Sequence, residues 1–196
     1  RRLGQTAPDD TAYGSRNDFA PNNFQPSMAA NGVRELISIS DTLPPHLQEY
    51  LTKVRCIDLQ KAKPLLKCIS YEVRGKHYQA IGFANPSGGY ELRDNGLFKG
   101  TIAPKDITPI FTDKITDKMQ PICVFEGFID FLSFLSMKEK ITSVCLVLNS
   151  VSNVAKAIRH LNDRHLTHIR TFLDNDEAGR RAVQDFIKAG FHVEDM

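Results

Sequence analysis

Val124-Phe125-Glu126-Gly127-Phe128-Ile129-Asp130 and Phe172-Leu173-Asp174-Asn175-Asp176-Glu177-Ala178-Gly179 each run an apolar strand straight into a cluster of acids. Around them, from Pro121 onward, one grammar repeats. Short apolar runs at 122–126, 143–148 and 168–173 are each followed by a segment of helical period, at 128–138, 152–163 and 177–189. Strand, helix, strand, helix, strand, helix predicts parallel strands joined by right-handed helical crossovers. Phe191-His192-Val193-Glu194-Asp195-Met196 then begins a fourth strand. This half, 116–196, reads as an α/β domain with its acids at one rim of a parallel sheet. Ligands of open parallel sheets sit at that rim, outside the carboxyl ends of the strands.

Acids at strand ends are poorly placed to support a core and well placed to hold a cation. Glu126 closes the first strand, while Asp174 and Asp176 close the third, so the sheet can gather all three. Hard Mg²⁺ prefers oxygen ligands and keeps some positions for water and phosphate. Two aspartates at i and i+2 in extended backbone point the same way. The next helix opens at Glu177-Ala178-Gly179, and its free N–H groups favour a nearby phosphate. Gly127 allows a backbone or a phosphate to approach Glu126 closely. Asp130 has a plainer reading, since an acid in the first turn of a helix suits the helix dipole. The second cluster also partly imitates an EF-hand loop. Ala178 at its fifth position, Asp185 at its twelfth and a strand in front of it exclude that reading.

Upstream the period changes. Leu47, Tyr50, Leu51 and Val54 share one face of a helix predicted over 44–54, introduced by Pro44-Pro45. Residues 68–73 and 78–83 alternate around Arg74-Gly75-Lys76, which predicts a hairpin. The turn Asn85-Pro86-Ser87-Gly88-Gly89 leads into a third antiparallel strand at 90–93. Residues 36–115 therefore read as a small α+β unit. Residues 1–35 show neither period and read as an extended or disordered arm, in which Tyr13, Phe19 and Phe24 are candidates for docking on the body.

Composition narrows the class. At 196 residues, 41% hydrophobic and 24% charged, the chain is an ordinary globular protein with room for one good core or two small ones. A net charge of +2 permits a nucleic-acid partner without demanding one. Cys56, Cys68, Cys123 and Cys145 form no C-x-x-C pair and have no adjacent His, so zinc is not expected within this chain. Cys123 and Cys145 fall inside predicted buried strands and read as reduced core thiols. No run approaches the length of a membrane span and no signal peptide is visible, so a cytoplasmic location is expected. Arg159, His160, Arg164, His165, His168 and Arg170 could form a nucleic-acid patch, although a solvated helix end is the more common outcome of such a run. Arg180 and Arg181, beside the D-x-D, are better placed for phosphate.

Together the two acidic clusters, separated by one strand–helix unit, resemble the Toprim domain shared by bacterial primases, topoisomerases and some nucleases. That family places Glu-Gly after its first strand and D-x-D after its third. The primase branch is the more similar one. Glu126-Gly127-Phe128-Ile129-Asp130 and Asp174-Asn175-Asp176-Glu177-Ala178-Gly179-Arg180 look like its two motifs. Gly88-Gly89-Tyr90-Glu91-Leu92-Arg93, Phe98-Lys99-Gly100 and Pro104-Lys105-Asp106-Ile107-Thr108 look like primase-type Toprim proteins of bacterial mobile elements.

The resemblance implies a Toprim-type parallel sheet flanked by helices and preceded by a small α+β domain with an antiparallel hairpin or meander. It implies a DNA primase-like activity, the metal-dependent, template-directed synthesis of short RNA primers. Glu126 would be the catalytic acid/base, Asp174 and Asp176 would bind Mg²⁺ or Mn²⁺, and Asp130 would support them. Lys99, Arg93, Arg180 and Arg181 would face nucleic acid or nucleotide. The implied partners are single-stranded DNA template, nucleoside triphosphates and a replicative helicase. The zinc module and third acidic motif of such primases would fall before Arg1 and after Met196. A Toprim-type nuclease and a non-catalytic DNA-binding accessory protein of a mobile element are the alternatives. A topoisomerase needs a nucleophilic Tyr, whereas Tyr50, Tyr71, Tyr78 and Tyr90 fit core or hairpin packing.

Overall fold

Alternation builds the first sheet. In the computed structural model, which describes residues 33–96, 98–111 and 120–196, β2 (Leu66–Val73) and β3 (Lys76–Ala84) pair antiparallel. Arg74 and Gly75 join them at φ 53° and 75°, the left-handed pair that a tight hairpin turn matching strand twist requires. β1 (Glu35–Ser40) lies outside β2, while β4 (Tyr90–Arg93) and β5 (Lys99–Ile102) extend the sheet beyond β3 in the order β1-β2-β3-β4-β5. Between β3 and β4 the Asn85 carboxamide accepts from the N–H groups of Ser87 and Gly89, both at 3.0 Å, closing the expected turn.

The expected helix follows Pro44 as α1 (Pro45–Glu49), and then widens into a π-helical turn over Tyr50–Val54. Leu47, Tyr50 and Leu51 are buried as their spacing requires. Val54 is not, at 67% exposed. The Arg55 N–H reaches the Tyr50 carbonyl, an i→i+5 bond that adds a residue to the turn and rotates Val54 off the shared face. α2 (Leu59–Ala62) follows, capped by the Asp58 carboxylate at the Gln60 N–H.

The second sheet has the order β10-β9-β7-β8-β6. β7 (Ile122–Phe125), β8 (Cys145–Val147), β9 (His168–Phe172) and β10 (His192–Asp195) are parallel, and β6 (Thr108–Ile110) closes one edge antiparallel to β8. The crossovers α3 (Phe128–Met137), α4 (Val154–Asn162) and α5 (Glu177–Lys188) occur where the alternating grammar predicts them. The expected fourth strand is β10. β1, α2, β5 and β6 were not legible in the sequence. β1 is exposed along its length and carries a register shift between Leu36 and Ser38, which breaks its period. β6 is three residues with a central Pro. β5 has Gly100 inside it, where a side chain would overlap the Phe98 ring.

The sheet faces divide the core. Val124, Leu146 and Ile169 pack with Leu161 of α4 and Phe186 of α5 on one side. On the other, Cys123, Phe125, Cys145 and Val147 join Phe131 and Leu132 of α3, and the same cluster continues into Leu66, Cys68, Ile81 and Phe83 of the first sheet. Phe83 stacks on Phe128 with ring centroids 5.2 Å apart, and Phe125 stacks on Phe172 at 4.8 Å. Cys123 and Cys145 are both buried and lie side by side in register. Among the described residues no helix is long and apolar enough to cross a membrane. The arm with Tyr13, Phe19 and Phe24, and the expected boundary at 115/116, lie outside the described residues.

Candidate functional site

β7 and β9 are neighbours in register, Phe125 opposite Phe172, so the loops that follow them emerge side by side at one sheet end. Glu126 continues the ladder, donating its N–H to the Phe172 carbonyl at 3.2 Å. Its carboxylate Oε2 then accepts the Asp174 N–H at 3.1 Å. The two acidic motifs are thus fastened to each other by main chain as well as by side chain. Gly127 is the extended N-cap residue of α3, and Asp130 stands in the first turn of that helix.

Asp176 caps α5, its Oδ1 accepting the Gly179 N–H at 2.8 Å. This uses one carboxylate oxygen and leaves the second for another partner. Gly179 has a separate necessity, because a Cβ there would overlap the Asp174 carbonyl oxygen. The D-x-D loop can therefore lie flat against α5 only over a glycine.

Like charges and partial burial make this rim favour a positive ion. Burial pushes the Glu126 carboxyl above the usual carboxylate range, and the charges of Asp174, Asp176 and Asp130 push it further, against the Asp174 N–H bond. Burial likewise raises Asp130, helped by Asp174 and opposed by the Arg55 guanidinium. A nearby positive charge would favour the ionised form of both groups. The available donors are carboxylate oxygens, the set that suits Mg²⁺ or Mn²⁺.

A cleft of ≈ 290 Å³ separates this rim from the first sheet. Glu126, Asp130 and Asp174 line one wall, with Glu91, Arg93, Lys99, Thr101 and Lys105 opposite. Arg93 and Lys99 are direct partners across β4 and β5, as are Glu91 and Thr101, so all four share one face of the hairpin. The structure therefore brings the expected Lys99 and Arg93 to the same cleft as three of the four expected acids.

Arg180 and Arg181 are placed elsewhere. Arg180 donates to the Asn175 carbonyl at 3.1 Å and to its side-chain oxygen at 3.0 Å, and Arg181 pairs with Glu177 in the open. Neither lines the cleft. Five of the other six basic residues, from the run at 159–170, divide between two places. His168 and Arg170 bind Glu194 across β9 and β10, while Arg159, His160 and Arg164 line an open groove along α4 with Lys156 and Asp163.

Glu91, Thr101, Lys105, Asn149 and Ser150 are cleft residues that sequence reasoning passed over. For Asn149 and Ser150 a signal existed. They directly follow the apolar run of β8, as Glu126 follows β7, and so arrive at the same sheet end.

Residues 123–193 match the family described as Toprim-like, and residues 36–103 match one described as a domain of unknown function (DUF8464). No curated protein sequence matches the chain significantly. In fold, the chain is similar to the primase fragment of the bacteriophage T7 primase-helicase protein, with a TM-score of 0.50 at 19% identity over 72% of this chain and 62% of that one. Primase domains in a bacteriophage T7 lagging-strand DNA polymerase complex with an RNA/DNA hybrid and dTTP give a TM-score of 0.48 at 18% identity, over 72% of this chain and 76% of that one. The chain thus spans less than two thirds of the T7 primase fragment. Residues 123–193 are accordingly similar to the Toprim-like family, in a chain whose fold is similar to that of a phage primase fragment.

Proposed function

We propose that this chain is a primase-type nucleotidyltransferase that makes short RNA primers on single-stranded DNA with Mg²⁺ or Mn²⁺. The observation that carries this reading is the cleft itself, which brings a carboxylate rim and a pair of cations together around ≈ 290 Å³. A scaffold protein has no need of either wall, and a phosphate needs both.

Asp174 and Asp176 would hold the cation, with Asp130 supporting the rim from the first turn of α3. The bound cation neutralises charge on the phosphoryl group and lowers the cost of ionising a hydroxyl. Glu126 takes the proton of the primer 3′-hydroxyl. That oxygen forms the new bond to the α-phosphorus, and the bond from this phosphorus to the pyrophosphate oxygen breaks. Arg93 and Lys99 hold the triphosphate in line for that exchange and stabilise the departing charge. Arg180 and Arg181 lie outside the cleft, on the first turns of α5, and would meet only a strand that continues past the reacting centre.

Primer synthesis on single-stranded DNA with labelled nucleotides and Mg²⁺ or Mn²⁺ tests this directly. Short RNA products are expected from the full chain, reduced by roughly 10²–10³-fold in Asp174→Ala and Glu126→Ala. Metal-dependent cutting of the DNA in place of synthesis would make the same acids those of a nuclease. Retained DNA binding with neither activity would make the chain an accessory protein.

A further inference from the structure

Buried polar atoms are nearly always hydrogen-bonded, so those without partners point to what is missing. Among the described residues three side-chain atoms are buried and unpartnered: Arg34 Nε, Glu91 Oε1 and Asn149 Oδ1. The last two are both acceptors, and both belong to residues that line the cleft.

Glu91 is only 8% exposed, although it is an acid on the strand that faces the site. Its Oε2 accepts the Thr101 hydroxyl at 3.0 Å across the strand pair, which leaves Oε1 unmatched. Burial pushes this carboxyl above the usual range, against the Thr101 bond and the charge of Lys105. Asn149 is oriented just as firmly. Its amide nitrogen donates to the Asp106 carbonyl at 2.8 Å and to the Thr108 hydroxyl at 2.9 Å, which assigns the oxygen to the opposite side. Its backbone sits at φ 63°, a left-handed position that Asn tolerates better than most residues. The amide of Asn149 and the Oε2 of Glu91 thus have structural partners, while the second oxygen of Glu91 and the oxygen of Asn149 have none.

We propose that Glu91 and Asn149 form a sugar-hydroxyl subsite, taking the ribose of the nucleoside triphosphate whose phosphates lie between Arg93–Lys99 and the acidic rim. This rests on the nucleotidyl-transfer reading. An acceptor needs a donor, and an ionised phosphate has none. The donors of a nucleotide are its sugar hydroxyls and its base N–H groups. A templated reaction leaves the choice of base to pairing, so a fixed protein acceptor must read something that all four nucleotides share, and the ribose hydroxyls are shared. Spacing agrees. Glu91 and Arg93 are one strand repeat apart on the same face, about 6.6–6.8 Å, the reach from a 5′ phosphate to the hydroxyls of the same sugar. The subsite would make the protein prefer ribonucleotides through binding, independently of the catalytic carboxylates.

The test is equilibrium binding, by calorimetry with Mg²⁺ present, of ATP, GTP, CTP and UTP and of their 2′-deoxy and 2′,3′-dideoxy forms. The full chain is compared with Glu91→Leu, Glu91→Gln and Asn149→Ala. The wild type should favour ribose by about tenfold, the size of one good hydrogen bond to a charged group. Glu91→Leu should abolish that preference while leaving deoxynucleotide affinity unchanged, and Glu91→Gln, which keeps shape and an acceptor, should retain part of it. Asn149→Ala is read through the ribose-to-deoxyribose ratio, because its amide also holds the loop before β6. A melting temperature of Glu91→Leu at or above wild type, with the preference lost, separates sugar recognition from a structural role. Equal losses for both sugars, or losses that follow the base, overturn the subsite and leave the transfer reading standing. A wild type that binds no nucleotide overturns both.

Discussion

Asp176 does two things that a single substitution confuses and a pair of substitutions separates. Its Oδ1 caps α5 while its charge belongs to the rim. Asp176→Ala should cost about 1 kcal/mol of stability, the usual value of a lost N-cap, whereas Asp176→Asn keeps the cap and should unfold near the wild-type denaturant midpoint. Both should lose metal-supported activity. Glu126 and Asp130 make a pH prediction of definite sign. Their folded carboxyls are raised above the unfolded range, so their contribution to stability is complete below the ordinary carboxylate values and is lost as pH rises through the raised ones. In metal-free thermal melts, Asp130→Asn should therefore gain on the wild type as pH is taken from acid to neutral, and Mg²⁺ should shrink that gain. At this scale the acids were legible because each stands where an apolar run ends. Glu91 was not, since what surrounds it comes from the flanking strands, where it pairs with Phe83 and Thr101, and its own strand carries no sign of that. The outward course of Arg180 was equally hidden, being set by the local turn at Asn175.

Elements were legible in proportion to how much of them is buried. β7 and β8 are buried on both faces and read as unbroken apolar runs, while β9 alternates, with Ile169 and Thr171 buried between the half-exposed His168 and Arg170. β1, β5 and β6 are short, exposed or interrupted by Gly or Pro, so their pairing comes from neighbours rather than from their own period. The π-helical turn after α1 shows a related limit, since a period of 3.6 placed Val54 in the core and an extra residue in the turn removed it. The packing of the D-x-D loop on α5 also belongs to this scale. Gly179→Ala forces the helix and the Asp174 carbonyl apart. It should destabilise by about 1–3 kcal/mol in chemical denaturation and depress primer synthesis with every acid intact. An enzyme unaffected by that change would show that the loop has slack to spare.

For the whole molecule, the change from antiparallel to parallel grammar was readable, while the way the halves meet was not. Sequence period identifies which residues face inward but not which inner faces touch. Here one continuous core runs from Leu66, Ile81 and Phe83 of the first sheet through α3 to Phe125 and Val147 of the second. Phe83→Ala removes the ring at that junction and should cost about 3–5 kcal/mol. Hydrogen exchange should then show both sheets losing protection together rather than the first sheet alone.

The aromatic stack at Phe83 and Phe128 lies behind the cleft like a weld behind a vice. Packed rings oppose a swing of the jaws, so the gap between the acid rim and the cation strands acts as a gauge. On the reading proposed here, a growing duplex must slide through that gauge or let go of it, and the pace of successive additions should follow how readily the duplex slips rather than how quickly the protein closes.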